Sequence, residues 1–96
     1  MKNLRSLIEN FSCECLQGSL DTEVRSVVYD SRKVEKGSLF VCIRGAVVDG
    51  HTFVNEVVEK GARVLVVEEP VNVPKEVTVL QVSDTRYALA LISCAW

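Results

Sequence analysis

Proline and glycine are scarce in this chain, and neither sign of charge dominates it. Two prolines and five glycines among 96 residues, with no Ser/Gly tract, leave no stretch that would act as a flexible linker. Eleven Lys and Arg stand against thirteen Asp and Glu, for a net charge of −2. The basic residues are scattered, which argues against a nucleic-acid surface that tracks phosphates. No apolar run approaches the ~20 residues needed to cross a bilayer. The start, MKNLRSLIENFSCE, lacks the continuous apolar stretch of a secretory signal. Several chemical motifs are also absent: G-x-x-x-x-G-K-[ST], G-x-G-x-x-G, C-x-x-C and H-E-x-x-H. No nucleophile is paired with a base. The expectation is one soluble, cytoplasmic domain.

The four cysteines fit a reducing compartment. Cys13 and Cys15 form a C-x-C pair, while Cys42 and Cys94, each in apolar surroundings, read as small core hydrophobes. The spacing of that pair is not that of a zinc site, and the single histidine, His51, is far from it in sequence, so no metal site is expected.

Valine is what the chain has in excess, with 18 copies. β-Branched side chains favour pleated strands, and these valines cluster in short runs bounded by Gly, Pro, Asp or charge. Leu4, Leu7, Ile8 and Phe11 recur at helical spacing and predict a helix over 2–11. Residues 22–28 alternate as a strand. Gly37 closes a turn over 33–37, and Leu39-Phe40-Val41-Cys42-Ile43 reads as a strand buried on both faces. A helix over 52–60 ends at Gly61, and a second buried strand follows over 63–68. This strand–helix–strand order predicts parallel neighbours joined by a right-handed crossover. A strand over 77–82 comes next, then a helix from Thr85 with Ser83 or Asp84 as its N-cap. The last residues, Ala88 to Trp96, continue an apolar helix without a Gly, Pro or polar cap, as expected of one piece of a longer protein.

Two loops follow predicted strands: Tyr29-Asp30-Ser31-Arg32, and Arg44-Gly45-Ala46-Val47-Val48-Asp49-Gly50-His51. Ligands of parallel sheets gather at the carboxyl ends of strands. A serine hydroxyl and a glycine-flanked backbone suit a phosphate or nucleotide. A purely local reading stands beside that one. Asp30-Ser31 forms a side-chain turn, Asp49-Gly50 a turn with a helix cap, Arg32 is a solvated charge and His51 a surface or capping residue. Val47 and Val48 either pack under their loop or line an apolar slot for a flat ring.

In order along the chain stand Asp30-Ser31-Arg32-Lys33-Val34, Lys36-Gly37-Ser38-Leu39-Phe40-Val41, Gly45, Asp49-Gly50-His51, Phe53 and Lys60-Gly61-Ala62. This pattern resembles the N-terminal domain of the Mur ligases, most nearly the type that makes UDP-N-acetylmuramyl-tripeptide (MurE type). Asp84-Thr85-Arg86 before Ala88-Leu89-Ala90 is similar to the helix that leads this subgroup toward its central domain. The type that adds D-alanyl-D-alanine (MurF type) shares the first loops.

The resemblance implies a small mixed, mostly parallel α/β sheet flanked by helices. Residues 1–84 would be a UDP-substrate-binding domain, and 85–96 the start of a helix toward an ATP-binding domain. It implies an ATP- and Mg²⁺-dependent ligase of peptidoglycan synthesis, with both cofactor sites outside these 96 residues. The reaction implied adds meso-diaminopimelate or L-lysine to UDP-N-acetylmuramoyl-L-alanyl-D-glutamate, and the fragment alone would be inactive. Carried over, Ser31 would hold the diphosphate, with Gly45, Ala46, Val47 and Val48 meeting the nucleotide through backbone groups. Asp30, Arg32, Asp49, Gly50 and His51 would shape the loops. The partners implied are the substrate and the ligase's own further domains, with no nucleic acid or membrane. A stand-alone nucleotide-sugar-binding module is the alternative of another class.

Overall fold

The computed structural model describes residues 2–45 and 49–96. Its chain opens with a two-residue strand, β1 (Lys2–Asn3), that pairs antiparallel with β3 (Glu23–Val24). Between them lie a short helix, α1 (Leu4–Ile8), and an edge strand, β2 (Glu14–Gln17). The helix expected over 2–11 is therefore only one turn and a half. Asn3 stops it on the amino side by accepting from Arg5 N–H, while its own backbone belongs to a strand. Strand β2 follows no hydrophobic pattern and is absent from the sequence reading.

The strand expected over 22–28 divides into β3 and β4 (Ser26–Val28). Between them Arg25 N–H donates to Gly37 O at 3.0 Å, which lets the chain leave one sheet and join another. Then come β5 (Ser38–Val41), α2 (Val54–Glu59), β6 (Val64–Val67), β7 (Thr78–Gln81) and α3 (Thr85–Ala95). The main sheet has the order β2-β7-β6-β5-β4. Strands β4 to β7 are parallel neighbours, and β2 alone runs antiparallel, against β7. The mixed, mostly parallel sheet is thus as expected, with β5, α2 and β6 forming the strand–helix–strand unit.

The valine-rich runs are continuous because both faces of the sheet are covered. Leu39, Val41, Val64, Val66 and Leu80 face a layer holding Leu4 and Leu7 of α1 and Ala88 and Ile92 of α3. Phe40, Cys42, Leu65, Val67 and Val79 face the layer of Val54 and Val57 on α2. Helix α3 is therefore part of the first layer, starting at Asp84, whose carboxylate accepts from the N–H groups of Arg86 and Tyr87.

Cys42 is buried as expected, and burial, with the nearby Asp49 charge as the lesser cause, pushes its thiol pKa up to about 12. Cys94 is exposed, against expectation, because the core-facing stripe of α3 runs through Ala88 and Ile92 and leaves position 94 outside it. Cys13 is half-buried and Cys15 exposed, and all four thiols are free. Trp96 is also partly exposed, so apolar surface collects near the end of α3. Among the described residues no helix is long and apolar enough to cross a membrane.

Candidate functional site

Parallel pairing brings the carboxyl ends of β4, β5, β6 and β7 to one edge of the sheet. Both loops singled out in the sequence leave from that edge. Between them lies an open cavity of about 570 Å³, within the size range of small-ligand sites. Asp30, Ser31 and Arg32 line it from the first loop, Ile43, Gly45 and Gly50 from the second, and Phe53 and Glu56 from the segment that follows; Tyr29 stands at its mouth, 64% exposed. The expected positions Ala46, Val47 and Val48 lie outside the described residues.

The first loop is held by its own charges. Asp30 caps the 3-10 turn Ser31–Lys33, accepting from Arg32 N–H at 3.0 Å. Its carboxylate also takes two bonds from the Arg32 guanidinium, at 3.0 and 2.8 Å. That guanidinium first, and the backbone N–H second, hold the Asp30 carboxyl at about 2, well below its ordinary value. Among the described residues the Ser31 hydroxyl has no hydrogen-bond partner, although the side chain lines the cavity. It is left able to serve a ligand.

The second loop is locked from behind. Asp49 caps the turn Gly50–Phe53, accepting from His51 N–H at 2.9 Å. The His51 ring, 6% exposed, lies 2.6 Å from Asp49 Oδ1 through Nδ1, and its Nε2 accepts from Glu68 N–H at 2.9 Å. An acceptor at Nε2 puts the proton on Nδ1, which then donates to Asp49. His51 is therefore a buried strut between two strand exits. It is not the surface or capping residue of the local reading, since both ring nitrogens find partners inside the fold.

Arg44 lies across the same edge, 3.1 Å from Asp49 and 2.6 Å from Glu69. Glu68, near Arg44 at 3.6 Å, accepts both Thr85 N–H and Thr85 Oγ1–H at the start of α3. Arg86 in turn donates to Arg44 O. The second loop and α3 are thus one polar network. The sequence reading passed over Glu68 and Glu56, and it quoted Arg86 and Lys60 within its motifs without giving either a place at the site.

Asp49, His51 and Glu69 offer ligand atoms within 4.8 Å of one another, a spacing that a metal ion would accept. The Arg44 guanidinium already supplies a cation to both carboxylates, and both His51 nitrogens are committed. Their chemistry is that of a satisfied ion-pair cluster rather than a metal site.

The bonds from His51, with Arg44 adding to them, hold the Asp49 carboxyl at about 2 against an ordinary 3.8. A carboxylate whose folded pKa is depressed contributes stability that is present above the unfolded value and lost as pH falls through the folded one. Wild type and Asp49→Asn are therefore expected to differ in Tm at pH 5 and above, the variant being the less stable. The two curves should converge as the pH is lowered from about 4 toward 2. Thermal melts across that range measure it, and a gap that is constant with pH would contradict it.

The chain is similar to known proteins. The family model described as "Mur ligase family, catalytic domain" matches residues 23–95. The UDP-N-acetylmuramoyl-L-alanyl-D-glutamate–2,6-diaminopimelate ligase of Clostridium perfringens is 42% identical over 90 residues, which cover 94% of this chain and 19% of that protein. The chain thus spans about one fifth of the length of such curated relatives. Among solved structures, a crystal structure of MurF from Acinetobacter baumannii superposes with a TM-score of 0.67 at 36% identity, covering 75% of this chain and 16% of the other. The MurF ligase of Thermotoga maritima, solved in complex with ADP, gives a TM-score of 0.61 at 30% identity, covering 73% and 16%.

Proposed function

The chain belongs to the Mur ligase family, and from that premise we propose that it is the part of a peptidoglycan ligase that holds the nucleotide end of UDP-N-acetylmuramoyl-L-alanyl-D-glutamate. The observation that carries the reading is the cavity between the two loops, lined by two glycines and by a serine whose hydroxyl has no partner among the described residues. Ser31 donates to the diphosphate. Gly45 and Gly50, lacking side chains, let backbone groups approach it. Tyr29, Ile43 and Phe53 supply aromatic and aliphatic surface for the flat uracil ring. Asp30, Arg32, Asp49 and His51 shape the loops.

The MurE type is favoured over the MurF type because identity to the diaminopimelate ligase is 42% over 94% of the chain, against 36% over 75% for the MurF structure. The whole enzyme would join meso-diaminopimelate or L-lysine to the D-glutamyl carboxyl group in the cytoplasm, using ATP and Mg²⁺. No residues described here fit those cofactors. The sequence holds no G-x-x-x-x-G-K-[ST] loop, and the carboxylates of Asp30, Asp49 and Glu56 are engaged by Arg32, Arg44 and Lys60 in turn. We assign the ATP step to other parts of the ligase. This chain contributes binding energy from a non-reacting group, which positions the remote carboxyl without joining its chemistry.

Ser31→Ala tests the reading. A hydrogen bond to a charged group is worth roughly 1.5–3 kcal/mol, so the full-length ligase should show KM for the UDP substrate raised about tenfold or more. The KM for the amino acid should stay near wild type. An unchanged KM for the UDP substrate would contradict the assignment.

A further inference from the structure

Helix α2 ends at Lys60, whose backbone N–H closes onto Glu56 O and Val58 O. The next residue, Gly61, takes φ +108 and accepts from Gly37 N–H at 2.8 Å, so the base of the Lys60 side chain is fixed against the turn before β5. From there the ammonium crosses to the first loop and donates to Ser31 O at 2.9 Å, while Glu56 Oε2 steadies it at 3.2 Å. The peptide unit between Ser31 and Arg32 is consequently gripped at both ends. Its carbonyl accepts from Lys60, and its N–H donates to the Asp30 carboxylate at 3.0 Å. A peptide plane held at both ends sets the backbone on which the Ser31 hydroxyl is mounted, leaving only the side-chain rotamer free. The same contact brings a positive charge to the backbone of Ser31, whose side chain lines the cavity and whose hydroxyl has no partner among the described residues.

We propose that Lys60 is a positioning residue for the anionic part of the ligand: it holds the Ser31 turn in its binding geometry and adds a cation behind it. The proposal rests on the nucleotide reading of the cavity. Lys60 itself does no chemistry and acts through Ser31. Its pairing with Glu56 keeps the ammonium directed at the loop in the free protein, so little reorganisation is required when a diphosphate arrives. Because it works on the phosphate side, its contribution belongs to the charged portion of the ligand and not to the base.

The test is an NMR titration of the 96-residue chain with UDP and, separately, with uridine, on wild type, Lys60→Met and Lys60→Arg, each with a thermal melt. Lys60→Met should weaken UDP roughly tenfold while changing uridine by less than about twofold, with Tm nearly unchanged, since exposed ion pairs add little stability. Lys60→Arg keeps a donor and a charge within reach of the carbonyl and should recover most of the UDP affinity. Equal losses for UDP and uridine, or a loss that tracks a fall in Tm and that arginine fails to recover, would make Lys60 a merely structural tie and overturn the proposal. So would unchanged UDP binding in Lys60→Met. If the wild-type chain, shown to be folded, binds neither ligand, the nucleotide reading itself fails and the proposal goes with it.

Discussion

Gly50→Ala is expected to cost the chain at least tenfold in affinity for UDP and to lower its Tm. The added Cβ would stand 2.8 Å from Ile43 N and 3.0 Å from Cys42 Cα. Both atoms are backbone at the exit of the interior strand β5, so no side-chain rotation relieves the contact. The turn must instead move away, and Gly50 N–H then loses its 2.8 Å bond to Ile43 O. Forcing extra volume into a packed site costs about 1–3 kcal/mol. The larger consequence is local. Gly50, Ile43 and Gly45 line one wall of the cavity, and Asp49 and His51, adjacent in sequence, hold that wall to Glu68. Displacing Gly50 displaces the wall. Melting and UDP titration of the variant measure both effects, and normal UDP affinity would contradict the placement of the site.

Phe40→Ala should have the largest effect on stability. Phe40 is 1% exposed on β5, the strand between β4 and β6, and packs in the layer with α2. Truncating a buried phenylalanine costs about 3–5 kcal/mol, out of a total near 5–15 kcal/mol for a domain. For a chain of this length each kcal/mol moves Tm by about 4–8 °C. The variant should be largely unfolded at physiological temperature or melt tens of degrees lower. Urea unfolding gives the value directly, and a loss below about 1 kcal/mol would mean that the α2 layer is not the core described here.

The parts of the fold that the sequence made legible share a physical cause. Leu39 to Ile43 and Val64 to Val67 are continuous apolar runs because each strand is covered on both faces, so the pattern is strong and local. Helix α3 is legible from Asp84, a cap whose partners lie two and three residues away. Strand β2 was invisible because it is a half-exposed edge whose partner, β7, comes more than sixty residues later. Division of the 22–28 segment depends on one long-range bond, from Arg25 N–H to Gly37 O.

The candidate site divides in the same way. Asp30, Ser31, Asp49 and Gly50 stand in short loops after apolar runs and can be picked out by position. Lys60 and Glu68 bond to backbone groups 29 and 17 residues away, and no local pattern announces such pairings. His51 shows how a polar residue misleads when read alone. Its burial is tolerable only because Asp49 and the Glu68 N–H satisfy both ring nitrogens. The Asp two residues before it was the available signal.

The central claim is that the cavity at the carboxyl ends of β4 and β5 takes the nucleotide end of the substrate. Amide chemical-shift mapping of the isotope-labelled chain, titrated with UDP-N-acetylmuramoyl-L-alanyl-D-glutamate, tests it most directly. Saturable shifts should concentrate at residues 29–32, 43–45 and 50–53. They should be small at Lys36, Arg63 and Glu76, which line a second cavity of about 360 Å³ that shares no lining residue with the first. Shifts centred on that second cavity, or none in a chain that remains folded, would contradict the account.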